Sequence, residues 1–288
     1  MQENMNIQWY PGHMTKTRRQ IEADLKQVDA VCEIVDARIP ISSRNPDIDE
    51  ICGNKPRIVV LNRMDLADPA ATNAWISYYR NNGIAAVPTD CKTKRGINAF
   101  QPAVRSILKE KIERDAAKGM KRAIRIMVVG IPNVGKSTFI NQISGRKGAK
   151  AENRPGVTRG KQWVTVDTGL LLLDTPGILW PKFEDPNVGL ALAFTGAVKE
   201  DVIDLEELAC RLMELLNKRY PQALSDRYGV ELPNDTPGYM LLEAAGKKRG
   251  FLLARGEINT ERMAKVLVDE YRSGKLGKFT FEMPEDML

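Results

Sequence analysis

Cysteine is scarce and scattered in this chain. Cys32, Cys52, Cys91 and Cys210 stand 20, 39 and 119 residues apart, so no Cys-x-x-Cys pair exists to hold zinc or run a dithiol cycle, and a reducing cytoplasmic setting is expected. Histidine is scarcer: His13 is the only one. Long apolar runs are missing too. Stretches such as Ile126 to Ile131 fall far short of a membrane span, and Met1 to Tyr10 carry neither the apolar core of a leader nor an Arg-rich transit character, which predicts a protein with no membrane partner. There is no internal repeat, no low-complexity tract, and no motif for a second cofactor.

What is present begins with size. A chain of 288 residues allows one large domain or two medium ones, each with its own core. Hydrophobic residues at 43% and charged residues at 28% exclude collagen-like, disordered and disulfide-scaffold classes. The net charge of +6 is a cancellation: residues 1–183 hold 29 Lys or Arg against 18 Asp or Glu, while residues 184–288 hold 14 against 19.

Over residues 1–183, short Val- and Ile-rich runs alternate with helical stretches, the pattern of a parallel sheet wrapped by helices. Strands are predicted at Ala30 to Val35, Arg57 to Leu61, Ile84 to Val87 and Ile124 to Val129, with a hairpin from Gln162 to Val166 and Leu170 to Leu173. Each of the first four ends where a polar motif begins, as ligand loops do in open α/β sheets. From residue 184 the strand signal fades. Helical spacing at Leu205 to Arg219, Tyr239 to Ala245 and Thr260 to Ser273 predicts a second, all-helical domain over 184–288.

The strongest chemical signal is Gly130-Ile-Pro-Asn133-Val134-Gly135-Lys136-Ser137, followed by Thr138. It matches the P-loop pattern in the required setting, a strand before it and a helical segment after. Backbone N–H groups of such a loop curl round a phosphate, Lys136 bridges the outer phosphates, and the Ser137 hydroxyl ligates Mg²⁺. Asp174-Thr-Pro-Gly177 closes the hairpin, so Asp174 is placed as the second magnesium contact and Gly177 as a backbone donor to the γ-phosphate. Between them, Thr158 in Pro155 to Gly160 offers a hydroxyl to Mg²⁺ and the γ-phosphate.

Base choice is assigned to Asn62-Arg63-Met64-Asp65, after the second strand. A carboxylate accepting from two guanine N–H donors rejects adenine, so Asp65 selects GTP over ATP. Asp90-Cys91-Lys92, after the third strand, is read as the partner loop whose backbone meets the guanine carbonyl.

These pieces resemble the five motifs of Ras-like GTPases in altered order, with the guanine-reading pair ahead of the P-loop. That order implies a circularly permuted P-loop GTPase (Ras-like) α/β domain, cut after Gly177, a rearrangement that closely spaced domain ends permit. Together with Trp9-Tyr-Pro-Gly-His13-Met14 and the Gly-Ile-Pro-Asn-Val-Gly-Lys-Ser loop, it is similar over essentially the whole chain to the bacterial ribosome biogenesis GTPase A family. One departure stands out: Arg63 replaces the Lys of the family's Asn-Lys-x-Asp.

The resemblance implies a monomeric, bacterial cytoplasmic enzyme. It would bind the precursor of the large (50S) ribosomal subunit and its rRNA in the GTP state and leave on hydrolysis. The alternative is a regulatory switch acting on a protein partner through the acidic segment 184–246. Ile178 stands where Ras-like proteins carry the water-orienting Gln. The resemblance therefore implies a catalytic group from another segment, for which His13 is the candidate, and K⁺ held through Asn133. An RNA contact or a packed turn are the other readings of His13. For RNA, the basic stretches are Arg105 to Arg125, Arg146 to Lys161 and Lys247 to Lys278, with Lys247, Lys248, Arg249, Arg255, Arg262, Lys265 and Arg272 in the last. Tyr239 and Phe251 are assigned to core packing, with base stacking as the alternative.

Overall fold

The structure is a computed structural model that describes residues 14–145, 162–167, 169–175, 177, 185–198 and 204–287. In chain order the elements are α1 (Met14–Leu25), β1 (Ala30–Asp36), α2 (Ile48–Cys52), β2 (Arg57–Asn62), α3 (Pro69–Asn81), β3 (Ala85–Thr89), α4 (Phe100–Ile107), α5 (Lys109–Ala117), β4 (Ile124–Val129), α6 (Lys136–Ser144), β5 (Gln162–Asp167), β6 (Leu170–Asp174), α7 (Pro186–Thr195), α8 (Leu205–Arg219), α9 (Pro221–Tyr228), α10 (Gly238–Lys248) and α11 (Thr260–Ser273).

The chain divides into two compact units. Among the described residues, Asp185–Phe279 build one, and those from Met14 up to residue 184 together with residues 280–287 build the other. Residues 280–287, which helical composition groups with the tail, thus belong to the α/β unit.

In the α/β unit one six-stranded sheet runs in the order β3-β2-β1-β4-β6-β5. All neighbours are parallel except β5 and β6. Every residue of β1 is buried, which is why it reads as a near-continuous apolar run rather than an alternating one. Its one interior acid, Glu33, is paired with Arg44 at 3.2 Å. Val31, Met127, Val129 and Leu173 of three adjacent strands share a core cluster with Ile21, Leu25 and Ile48. Val35, Val59 and Leu61 share another with Trp75 and Tyr79 of α3. Helix α3 starts where Asp68 accepts from the N–H groups of Ala70 and Ala71, with Pro69 as its first residue.

Because β1 and β4 are adjacent though not consecutive, connections diverge between them, and the crevice at their carboxyl ends is where an open α/β sheet binds ligands. The segments following β1, β2, β3, β4 and β6 all open at that edge.

The helical unit centres on α8, which packs against both α10 and α11. Leu208, Leu212, Met213 and Leu216 of α8 recur at helical spacing and are buried. Asp204 caps its first turn by accepting from Glu206 and Glu207 N–H, and Lys218 and Arg219 complement its dipole at the other end. Glu270 of α11 accepts hydrogen bonds from the Arg227 guanidinium and the Tyr228 hydroxyl.

Candidate nucleotide site

The loop between β4 and α6 bends through three positions of positive φ, the first at Gly130. Asn133 has φ 58° and Gly135 φ 104°, the region that an ordinary side chain avoids. At Gly135 a second reason for glycine appears. A Cβ there would lie 2.4 Å from Nδ2 of Asn62, and that amide donates to the Val134 carbonyl at 2.7 Å.

Asn62 therefore links the loop after β2 to the P-loop. Its Oδ1 faces the third segment, accepting from Thr89 Oγ1 at 3.3 Å and from the Cys91 N–H at 3.4 Å. Arg63, at φ 61°, donates to the Asn133 carbonyl at 2.6 Å and lies 3.6 Å from Asp36. The Arg in place of Lys thus keeps a contact to the P-loop backbone. Asp65 is half-buried. Burial, then the neighbouring Asp90 carboxylate, push its carboxyl upward. The Asp90 carboxylate accepts from Lys92 and Thr93 N–H, so it folds the loop, and the exposed side chain of Lys92 stands outside it.

At the phosphate end, the Lys136 ammonium is buried and donates to the carbonyls of Gly130 and Ile131 at 3.0 and 2.9 Å. Burial pulls it down to about 8 against the attraction of Asp174. An ammonium held on carbonyls in a dry pocket is poised to exchange them for phosphate oxygens. Ser137 donates to Oδ2 of Asp174 at 3.2 Å. The other oxygen, Oδ1, is buried with no hydrogen-bond partner. Burial raises this carboxyl, outweighing Lys136 and the Ser137 hydroxyl. A buried, half-satisfied carboxylate beside a serine hydroxyl is a donor set that fits Mg²⁺. Thr175, which sequence reasoning passed over, anchors this turn by donating to the Val128 carbonyl at 2.6 Å.

Gly177 approaches the same place. A Cβ there would stand 2.7 Å from Pro132 N and 2.9 Å from Lys136 Nζ, so the turn after β6 reaches the P-loop only as glycine. Thr138 follows in the first turn of α6. His13, Thr158 and Ile178 lie outside the described residues, as does the basic stretch 146–161. Among the described residues no cluster of three or more His, Cys, Asp or Glu stands ready for a metal.

Other basic residues divide by partner. Lys111 and Arg122 pair with Asp29 at 3.3 and 2.9 Å, which reduces the free charge of the stretch 105–125. In the helical unit, Arg249 meets Glu270 at 3.2 Å, and Arg272 donates to the Phe194 and Ala193 carbonyls. Both are occupied structurally. Lys247, Lys248 and Lys265 are exposed. Arg262 covers the ring of Phe251 at 4.3 Å. Tyr239 is 59% exposed, which corrects its assignment to the core: it stands in the first turn of α10 on the outward side.

A Gly-rich loop at a helix start, a strand-end aspartate beside its serine, and an Asn-x-x-Asp segment after a strand that comes earlier in the chain define a circularly permuted P-loop GTPase. The family model described as a 50S ribosome-binding GTPase matches residues 125–216, beginning at β4, which is where an unpermuted order would begin. Ribosome biogenesis GTPase A of Priestia megaterium is 48% identical, covering 98% of each chain. That of Thermotoga maritima is 31% identical, covering 98% of this chain and 96% of its own. Mitochondrial ribosome-associated GTPase 1 of Mus musculus is 33% identical over 94% of this chain and 88% of its own. A GDP-bound structure of YlqF superposes with TM-score 0.65 at 26% identity, covering 93% of this chain and 100% of that one. The chain belongs to the ribosome biogenesis GTPase A family, and its activity is GTP hydrolysis.

Proposed function

We propose that the chain is an assembly factor for the large (50S) ribosomal subunit, binding the precursor particle and its rRNA in the GTP state and leaving on hydrolysis. The observation that carries this reading is the match, over 98% of the chain, to relatives named for ribosome biogenesis. The protein would work in the bacterial cytoplasm as a monomer. No helix of the described residues is long and apolar enough to cross a membrane.

In this reading Asp65 accepts from the guanine N–H pair, while Asn62, Arg63 and the Asp90-Cys91-Lys92 loop hold the base pocket. The N–H groups of Asn133 to Thr138 cradle the phosphates and Lys136 moves from its carbonyls onto them. Ser137, Thr158 and Asp174 would hold Mg²⁺, which would supply positive charge beside the phosphates. Gly177 donates its N–H to the γ-phosphate. Ile178 cannot orient water, so His13 would take that task, and Asn133 would hold K⁺, which would supply further positive charge. The α/β unit, with the segment that returns at Thr280, forms the GTPase domain, and Asp185–Phe279 the RNA-contacting domain, offering Lys247, Lys248, Lys265 and the exposed Tyr239 ring.

The test is GTP hydrolysis with and without purified large subunits, on wild type and on His13→Ala, alongside nucleotide-dependent co-sedimentation. Stimulation by the particle, and binding that weakens steeply with salt, are expected. Absence of both overturns the ribosomal reading. A turnover unchanged by His13→Ala removes the histidine, and equal rates in sodium and potassium buffers remove K⁺.

A further inference from the structure

The chain leaves the helical unit at Phe279 and returns to the α/β unit at Thr280, and the three residues that follow make a dense set of polar contacts. Thr280 Oγ1 donates to the Ala37 carbonyl and accepts from the Asp68 N–H, both at 3.1 Å. Phe281 N–H donates to the Arg38 carbonyl at 2.9 Å. The Glu282 carboxylate accepts from the Ile41 N–H at 2.6 Å, from the Ser42 N–H at 3.0 Å, and from the Ser42 hydroxyl. Its carbonyl accepts from Trp75 Nε1 at 2.9 Å. A carboxylate receiving two successive N–H groups and a hydroxyl fixes a loop as a helix cap does, and charge-assisted bonds of this kind are the stronger ones.

The loop so fixed, residues 37–43, begins beside Asp36. Arg38 is fully buried and holds Asp36 with both its Nε and Nη2, at 2.9 and 2.7 Å. Ser43 donates to the Ile39 carbonyl and accepts from the Asp36 N–H. Asp36 in turn faces Arg63 at 3.6 Å, and Arg63 donates to the P-loop carbonyl of Asn133. Ala37 N–H donates to the Asn62 carbonyl at 2.8 Å. Polar contacts joined by the backbone of the 37–43 loop therefore run from Thr280 and Glu282 to the two residues that join the base-reading loop to the P-loop.

We propose that Thr280, Phe281 and Glu282 form a strap that positions Asn62 and Arg63, so that the C-terminal end of the chain sets how tightly guanine nucleotide is held. The strap rests on the assignment of Asn62 to Asp65 as the base-reading loop. Its effect passes through the 37–43 loop, which the hydrogen bonds of Thr280, Phe281 and Glu282 hold at Ala37, Arg38, Ile41 and Ser42. They are positioning residues: releasing them lowers nucleotide affinity and leaves the chemical step at saturating GTP as it was.

The measurement is steady-state GTP hydrolysis and fluorescent-GDP dissociation on full-length Glu282→Ala, Glu282→Gln and Thr280→Val. For Glu282→Ala, a KM for GTP and a GDP off-rate raised roughly fivefold to tenfold are expected, the range of coupling through packed networks, with kcat held within about twofold. Glu282→Gln, which keeps one acceptor oxygen, recovers part of the loss. The strap is overturned by unchanged KM and off-rate, and a fall in kcat with KM and off-rate at wild type marks loss of folded enzyme only. Should Glu282→Ala fail to fold, Thr280→Val decides by the same criteria, because it removes one hydroxyl and keeps the shape. Asp65→Asn is run in parallel with xanthosine triphosphate. If that variant gains no preference for xanthine, the base-reading assignment fails; if it gains one and the strap variants behave as wild type, only the strap fails.

Discussion

The side-chain amide of Asn62 donates to the backbone carbonyl of Val134 across 2.7 Å, although 72 positions of sequence separate the two residues. The other end of that amide meets Thr89 and Cys91. One side chain thus ties together three loops that the permuted order scatters along the chain. Asn62→Ala leaves a buried carbonyl and a buried hydroxyl with a lost partner each, at about 1–3 kcal/mol apiece. GDP affinity should fall at least about tenfold. Displacement of a fluorescent GDP analogue checks this, and an unchanged Kd would show that the loops hold themselves.

Arg63 stands where relatives in the resemblance carry Lys. Its guanidinium serves two partners, the Asn133 carbonyl and Asp36, from a fork that a lysine lacks. Arg63→Ala is expected to weaken GDP binding by about tenfold or more, the worth of a hydrogen bond from a charged group. Arg63→Lys should fall between wild type and Arg63→Ala, since a single ammonium keeps one contact. Equal affinities for all three proteins would deny Arg63 any part in the site.

Gly177 tests the phosphate end. A methyl group there collides with Pro132 and crowds Lys136 Nζ, pushing the turn after β6 away from the P-loop. Gly177→Ala should lower single-turnover GTP hydrolysis by about 10²-fold or more, the usual cost of losing one donor to developing charge. GDP, lacking the γ-phosphate, should bind nearly as before. A variant that hydrolyses GTP at the wild-type rate contradicts the role assigned to this N–H.

Glu270 carries a pH dependence into the helical unit. Hydrogen bonding from Arg227, then from Tyr228, holds its carboxyl below the ordinary glutamate range, against the opposing effect of burial. A depressed folded value means that its stabilisation is complete above the ordinary range and is lost as pH falls through the lowered value. Glu270→Gln should cost about 1–2 kcal/mol at neutral pH, the lower part of the charged-bond range because Arg227 is partly exposed. The gap in Tm between wild type and variant should close in acid. A gap that widens on acidification would reverse the assigned sign.

Much of the fold was readable from patterning. The run Ala30 to Val35 predicts a buried strand because a central parallel strand has no solvent face, and β1 spans Ala30–Asp36. The predicted Leu205 to Arg219 is α8 to the residue, since a capping aspartate and basic last turn mark both of its ends. Helices α1 and α7 were not predicted. The first has no acidic residue in its first turn and no basic one in its last. The second is apolar on nearly every side, which erases the one-sided stripe that helical patterning relies on.

The site shows the same division. The candidate roles of Lys136, Ser137, Asp174 and Asp65 were legible because short motifs carry them. Thr175, Asp36 and Glu282 were not, because each acts on a partner from another strand or from the far end of the chain. Tyr239 was assigned inward by its hydrophobicity, and only packing around α10 decided that it faces out.

By itself, then, the sequence determined the class of chemistry and the order of the motifs, since a phosphate loop and a base-reading carboxylate depend on residues near one another in the chain. The tertiary structure alone decided how the scattered loops are held in register, through Asn62, Arg63 and the returning Thr280–Glu282 segment. The physical reason is that a hydrogen bond depends on distance and direction in space, and nothing in the spacing of residues along a chain records where a distant carbonyl will come to lie.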